Sequence, residues 1–130
     1  MKTIKIIIEK SADAYDAYAE NVYGVSGAGN TVEQAKQNVL KSIEILKTFP
    51  DSPKILQGEY KIAFKFDTQS LLQNYKDIFS TVSFEKLTGI NQKQIHHYIT
   101  GHNKPREAQK RKITHALHQL GKELLAIEIN

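Results

Sequence analysis

Apolar and polar residues follow a period of two in the first half of the chain. Residues 59–67 read EYKIAFKFD, in which every second side chain is aromatic or aliphatic, and residues 3–9 read TIKIIIE, an Ile-rich run. Both patterns predict strands with a buried face. Shorter runs at 15–19 and 23–30 predict a second strand and a third that runs into a loop.

Between the third and fourth of these strands the period changes. In residues 31–48 the apolar side chains stand three and four positions apart, which predicts an amphipathic helix. Asn30 or Thr31 is the predicted N-cap, and Pro50 and Pro53 end the helix. Residues 1–66 therefore predict the order β-β-β-α-β, with the helix covering one face of a small sheet.

Helical spacing dominates after Asp67. It predicts helices at residues 68–79, 83–88, 91–100 and 106–120, while residues 124–129 read LLAIEI and fit a last strand. We therefore expect an α+β fold with a hinge near Asp67, an N-terminal domain of residues 1–66 and a mainly helical domain of residues 67–130.

Composition fits a soluble globular protein. Hydrophobic residues make up 40% and charged residues 25% of the 130, and no apolar run is long enough to span a bilayer. The absence of cysteine excludes disulfides, thiolate zinc sites and cysteine nucleophiles. The first ten residues alternate Lys and Ile rather than forming a signal peptide, so we expect a cytoplasmic protein without membrane partners.

Positive charge is concentrated in the second half. The chain has a net charge of +4, and residues 91–122 contain seven Lys or Arg against Glu107 alone. All five histidines lie between residues 96 and 118. This asymmetry indicates a polyanionic partner for the C-terminal half.

Glycines bracket a short helix in this basic region. Gly89 ends one predicted helix, Asn91 is a good N-cap for the next, and Gly101 ends that one. Ile95 points inward with Tyr98 and Ile99, and the outward residues are Gln92, Lys93, Gln94, His96 and His97. Amide, ammonium and imidazole groups suit base edges in a major groove.

This region resembles the helix-turn-helix of the Cro and phage-repressor (XRE-type) family. The matching residues are FEKLTGI at 84–90, QIHHYITG at 94–101 and KP at 104–105. Ile99 stands where many members have an acidic residue, which predicts extra packing there, against a partner or the N-terminal domain. The resemblance implies duplex DNA binding, with base contacts from Gln92, Lys93 and His97 and phosphates near Tyr98, Asn103, Lys104 and Arg106. It places Ser83, a further DNA-binding residue, near the N-terminal end of the preceding helix. The alternative is a small helical bundle with a solvated basic face.

The first domain resembles the HicB antitoxin family. The matching segments are YDAYA at 15–19, GVSGAGNT at 24–31 and VEQA at 32–35, and the likeness covers residues 1–66. It implies a partial RNase H-like fold that neutralises a small HicA-like, RNA-cleaving toxin. It also implies repression of its own operon as a homodimer or higher homo-oligomer. More weakly, the resemblance implies that Tyr15, Tyr18 and Tyr23 face the toxin.

Two other functions compete with the antitoxin. One is a stand-alone helix-turn-helix regulator whose N-terminal domain senses a ligand or protein. The other is a residual nuclease dependent on Glu9, although the remaining acidic residues are scattered. We expect no enzyme activity, no cofactor and no metal site, because His115 and His118 lack an obvious third ligand and the glycines lack a phosphate-binding pattern.

Overall fold

The computed structural model describes all 130 residues and shows an α+β fold with one four-stranded mixed sheet and five α-helices. The chain divides into residues 1–70 (unit 1) and residues 71–130 (unit 2), each described below by itself. None of the helices has the length and apolar character needed to cross a membrane.

Unit 1 contains the sheet. Its strands are β1 (Lys2–Lys10), β2 (Tyr15–Ala19), β3 (Ser26–Gly29) and β4 (Tyr60–Phe66). Their order is β3-β2-β1-β4, with β2 antiparallel to both neighbours and β4 parallel to β1. The predicted element order is confirmed. The third strand begins at Ser26 rather than at residue 23, because Gly24 turns the chain with a φ of 88°.

Helix α1 (Val32–Lys47) covers one face of this sheet. The predicted cap at Thr31 is confirmed, because its hydroxyl accepts the Gln34 N–H at 3.1 Å. A short 3-10 helix (Lys54–Gln57) follows before β4. The period of two on β1 and the helical period on α1 give each a buried face. The core contains Ile4, Ile6, Ile8, Val32, Ala35, Val39 and Ile43.

Unit 2 is helical. Its helices are α3 (Thr81–Thr88), α4 (Gln92–Thr100) and α5 (Glu107–Leu125), and the division between units falls within α2 (Thr68–Tyr75). Its core contains Leu72, Phe84, Ile90, Ile95, Tyr98 and Ile113.

Two predicted helix boundaries in this region were wrong. Helix α2 ends at Tyr75 instead of residue 79, because the N–H groups of Ile78 and Phe79 both bond to the Tyr75 carbonyl in a turn. Ile78, in the turn that follows α2, is 69% exposed. Helix α3 begins two residues earlier than predicted, because Ser80 is its N-cap.

The predicted terminal strand was also wrong. Helix α5 continues to Leu125, and the N–H groups of Ala126 and Ile127 still bond to the carbonyls of the preceding turn. No strand of the sheet pairs with residues 126–130. A strand needs a neighbour for its backbone bonds, and the local pattern alone does not supply one.

Candidate nucleic-acid interface

A three-residue turn joins α3 to α4. Gly89 has a φ of 77°, and its N–H bonds to the Glu85 carbonyl at 2.8 Å. Ile90 is buried, and the Asn91 carboxamide oxygen accepts the Lys93 N–H at 2.8 Å. A left-handed glycine, an inward Ile and an N-cap thus fix the start of α4.

Two further side chains, which the sequence did not indicate, stabilise this turn by hydrogen bonds to its backbone. Glu85 Oε1 accepts the Gln92 N–H at 2.9 Å, and Thr88 Oγ1 accepts the Ile90 N–H at 3.1 Å. The Glu85 carboxylate therefore lies at the positive N-terminal end of α4. Its sequence signal is weak: an acidic residue in the last turn of α3, where that helix's own dipole disfavours it.

Helix α4 has a buried face and a polar face. Ile95 and Tyr98, three residues apart, lie in the core. The exposed side chains are Gln92, Lys93 and His96, and the half-buried Gln94 and His97 flank them. The polar face therefore carries amide, ammonium and imidazole groups on a helix of 9 residues.

Tyr98 corrects one predicted contact. Only 3% of its surface is exposed, because it shares the inward face with Ile95, so a phosphate contact by its ring is wrong. The packing of Ile99 that the structure shows lies within unit 2, and the expected contact with a partner or the N-terminal domain stays a prediction. Ile99 packs against the core, and its carbonyl accepts a hydrogen bond from Gln73 Nε2 at 2.8 Å.

The loop after α4 folds back on its C-terminal end. Gly101 has a φ of 79°, and the Asn103 N–H bonds to the His97 carbonyl at 3.2 Å. The His102 ring centroid lies 4.7 Å from that of His97, and Asn103 Nδ2 lies 3.3 Å from His97 Nδ1. The loop therefore brings His102 and Asn103 to the end of α4.

The cations of unit 2 are mostly unpaired. Its one ion pair joins Lys110 to Glu107 at 3.2 Å on the surface. Lys93, Lys104 and Arg106 are exposed and have no carboxylate partner. Their charge is therefore free to meet an external polyanion.

Ser83 lies near the N-terminal end of α3, as expected. It is the third residue of α3, half-buried, and its N–H donates to the Ser80 hydroxyl at 3.1 Å. Its own hydroxyl lies 3.1 Å from that of Ser80. Ser83 thus belongs to the first turn of α3, with Ser80 as the cap.

His97 titrates below its ordinary range. Partial burial lowers its pKa, and the charges of His102, Lys93 and His96 lower it further. The ring is therefore neutral in the free protein at pH 7. A phosphate placed beside it would favour the charged form and raise the pKa.

If α4 lies at a nucleic-acid duplex, binding should therefore take up protons. A pKa lower in the free protein than in the complex makes affinity rise as pH falls through the interval between the two values. We expect affinity to increase about threefold or more from about pH 7.5 to about pH 6, and less in His97→Gln. His118→Gln, on exposed α5 surface, is the control. Fluorescence anisotropy at constant ionic strength measures the profile, and an affinity that rises with pH would contradict it.

The three tyrosines expected to face a toxin, all in unit 1, do not share one face. Strand β2 places Tyr15 and Tyr18 on opposite sides of the sheet. Tyr15 packs against the core with the Lys10 ammonium 4.7 Å from its ring centroid. The Tyr18 hydroxyl donates to Glu9 Oε1 at 3.0 Å. Tyr23, in the β2–β3 loop, is 97% exposed and is the most accessible aromatic side chain of the three.

The acidic side chains of unit 1 are dispersed. Glu9, the residue on which the nuclease hypothesis depends, accepts the Tyr18 hydrogen bond. The other acidic residues considered are exposed: Asp13, Asp16, Glu20, Glu33 and Glu59. No group of three or more His, Asp or Glu side chains in the chain is arranged to hold a metal ion.

We compared the chain with protein-family models, curated proteins and solved structures. No family model, no curated protein and no solved structure matches the chain.

Proposed function

We propose that unit 2 binds duplex DNA as a helix-turn-helix, with α4 in the major groove. The observation that carries this proposal is the α3–turn–α4 arrangement. It buries Ile95 and Tyr98 and turns Gln92, Lys93 and His96 outward. In proteins of this class the second helix reads base edges while the preceding helix contacts the backbone.

Size and charge support the same proposal. A helix of 9 residues is about 14 Å long at about 1.5 Å per residue, which suits a groove about 12 Å wide. Gln92 can pair with adenine, and Lys93 can donate to guanine. The exposed Lys104 and Arg106 follow α4 directly and are suited to phosphates.

We further propose that the whole chain acts in the cytoplasm as a HicB-type antitoxin and not as an enzyme. Unit 1, for which we propose a partial RNase H-like fold, would neutralise a small RNA-cleaving toxin, and unit 2 would repress the operon. The resemblance of residues 1–66 and the exposed Tyr23 ring support the toxin-binding part. Repression through paired half-sites requires two copies of α4, so a homodimer is the expected form.

The DNA proposal predicts a position-specific loss of affinity. Replacing Gln92, Lys93 and His96 together with Ala should weaken binding to the duplex upstream of the protein's own gene about 100-fold, because the base contacts of Gln92 and Lys93 are worth about 1–3 kcal/mol each and His96 shares their outward face. The matched control replaces one residue of each type on exposed α5 positions, Gln119, Lys122 and His118, and should change affinity less than about threefold.

Anisotropy of a labelled duplex measures both variants, with circular dichroism to show that each is folded. Equal losses of duplex affinity in the two triple variants would show that binding depends on the overall positive charge of unit 2 and not on contacts made by α4. An α4 variant that binds like the wild type would refute the proposal.

The toxin proposal is tested by co-expressing the tagged chain with the small protein encoded beside it. We expect the two to co-purify, with capture weakened in Tyr23→Ala and retained in Tyr18→Phe. Duplex binding without any captured partner would instead favour the stand-alone regulator.

A further inference from the structure

The two edges of the sheet in unit 1 differ in how they are covered. Along β3, the outer edge is bonded to side chains of α1: Asn38 Nδ2 donates to the Ala28 carbonyl at 2.6 Å, and Ser42 Oγ accepts the Ser26 N–H at 3.2 Å. Along β4, the backbone bonds only to β1. An uncovered edge of this kind is a template for an added strand.

The core-side face of β4 is only partly covered. Helix α1 lies mainly over β3 and β2, so Ile62, Phe64 and Phe66 are half-buried. The ammonium group of Lys36 lies 4.7 Å from the Phe64 ring centroid and 5.5 Å from that of Phe66. A strand added beside β4 would bury more of this apolar row if its own side chains on that face were apolar.

The opposite face of β4 is positively charged, which favours an acidic residue in any strand added beside it. Lys61 and Lys65 are exposed there, with the exposed Ala63 between them. Pairing of two β4 strands about Ala63 would place Lys61 of each copy opposite Lys65 of the other, and like charges directly opposite destabilise a sheet. The edge therefore favours a strand with one acidic residue between two apolar ones.

The chain carries such a segment after α5, in residues 126–130. Glu128 stands between Ile127 and Ile129, and both Ile side chains are largely exposed, Ile129 to 97%. The backbone N–H groups of Glu128 and Ile129 make no hydrogen bond. Extended, the segment would place both Ile side chains on one face and the carboxylate on the other.

We propose that residues 126–130 of one copy add to the free edge of β4 in a second copy. Glu128 lies opposite Ala63, between Lys61 and Lys65, and the two Ile side chains extend the half-buried row beside Ile62 and Phe64. The exchange is reciprocal, so a dimer contains two such contacts. This inference depends on the dimer in the proposed function and names the surfaces that form it.

A charge exchange between two variant chains tests the proposal. One chain carries K61E and K65E, and the other carries E128K. Each homodimer then places like charges together at both contacts, and we expect its dissociation constant to rise about tenfold or more. When the two variants are mixed, each of the two contacts in the heterodimer brings opposite charges together. We therefore expect the dissociation constant of the heterodimer to lie within about threefold of that of the wild-type dimer. Sedimentation equilibrium with one chain labelled measures both.

K41E on the exposed face of α1 is the charge control and should dimerise like the wild type. Thermal melts show that each variant is folded. A monomeric wild type, or homodimers that all three substitutions leave unchanged, would overturn the inference, and so would a mixture that forms no heterodimer. The DNA proposal is tested separately, by the duplex affinity of the α4 triple variant. A dimer whose dissociation constant does not respond to these substitutions would therefore not contradict it.

Discussion

Phe84→Ala should lower the free energy of unfolding of unit 2 by about 3–5 kcal/mol and abolish duplex binding at physiological temperature. Phe84 is fully buried in a core of six residues, and its ring meets Phe79 edge to face at 5.5 Å. The cavity left by truncation would lie directly behind the α3–α4 turn. A unit of about 60 residues has little stability to spare, so most molecules would lose the geometry of α4.

Urea unfolding followed by circular dichroism measures this loss, and anisotropy follows duplex binding in parallel. Val82→Ala in the same helix is the control. Val82 is largely exposed, so its truncation should cost less than about 1 kcal/mol. Similar losses in the two variants would contradict the assignment of Phe84 to the core.

Gly27→Val should be the most damaging single change in unit 1, costing about 3 kcal/mol or more. A Cβ at residue 27 would lie 2.4 Å from the backbone nitrogen of Val39 and 2.7 Å from the Asn38 carbonyl carbon. Backbone atoms in the middle of a helix cannot rotate aside as a side chain can, so α1 would have to move away from β3. That movement would open the core between α1 and the central strand β1.

The neighbouring substitution Ala28→Val is the matched control. Ala28 is exposed on the opposite face of β3, and a β-branched side chain is favourable in a strand, so we expect a change within about 0.5 kcal/mol. Thermal and urea unfolding of both variants provide the comparison. Equal stability of Gly27→Val and the wild type would show that α1 does not approach β3 this closely.

Local patterns predicted much of the fold. The period of two in residues 59–67 predicted β4, and the helical spacing after Thr31 predicted α1 together with its cap. Gly89 and Gly101 both have positive φ at the ends that the sequence assigned to helices. These features depend on the residues within one element, so the sequence carries them directly.

Features that depend on contacts between elements were missed. Glu85 bonds to a backbone group seven residues away, across a turn, and its residue type does not indicate this. The inward position of Tyr98 was predicted, but the depth of its burial, which argues against a phosphate contact, depends on how α4 packs. The prediction of a terminal strand was wrong for the same reason. Residues 126–130 have a strand-like pattern, but no strand of the same chain pairs with them.

The salt dependence of duplex binding tests the central claim most directly. Each phosphate neutralised by a cation contributes about −0.9 to the slope of log affinity against log salt concentration. With Lys104 and Arg106 at phosphates, the chain should show a slope of about −2 or steeper, and Lys104→Ala should make it shallower by about 1. A flat slope, or one that Lys104→Ala leaves unchanged, would contradict the assignment of this surface to DNA.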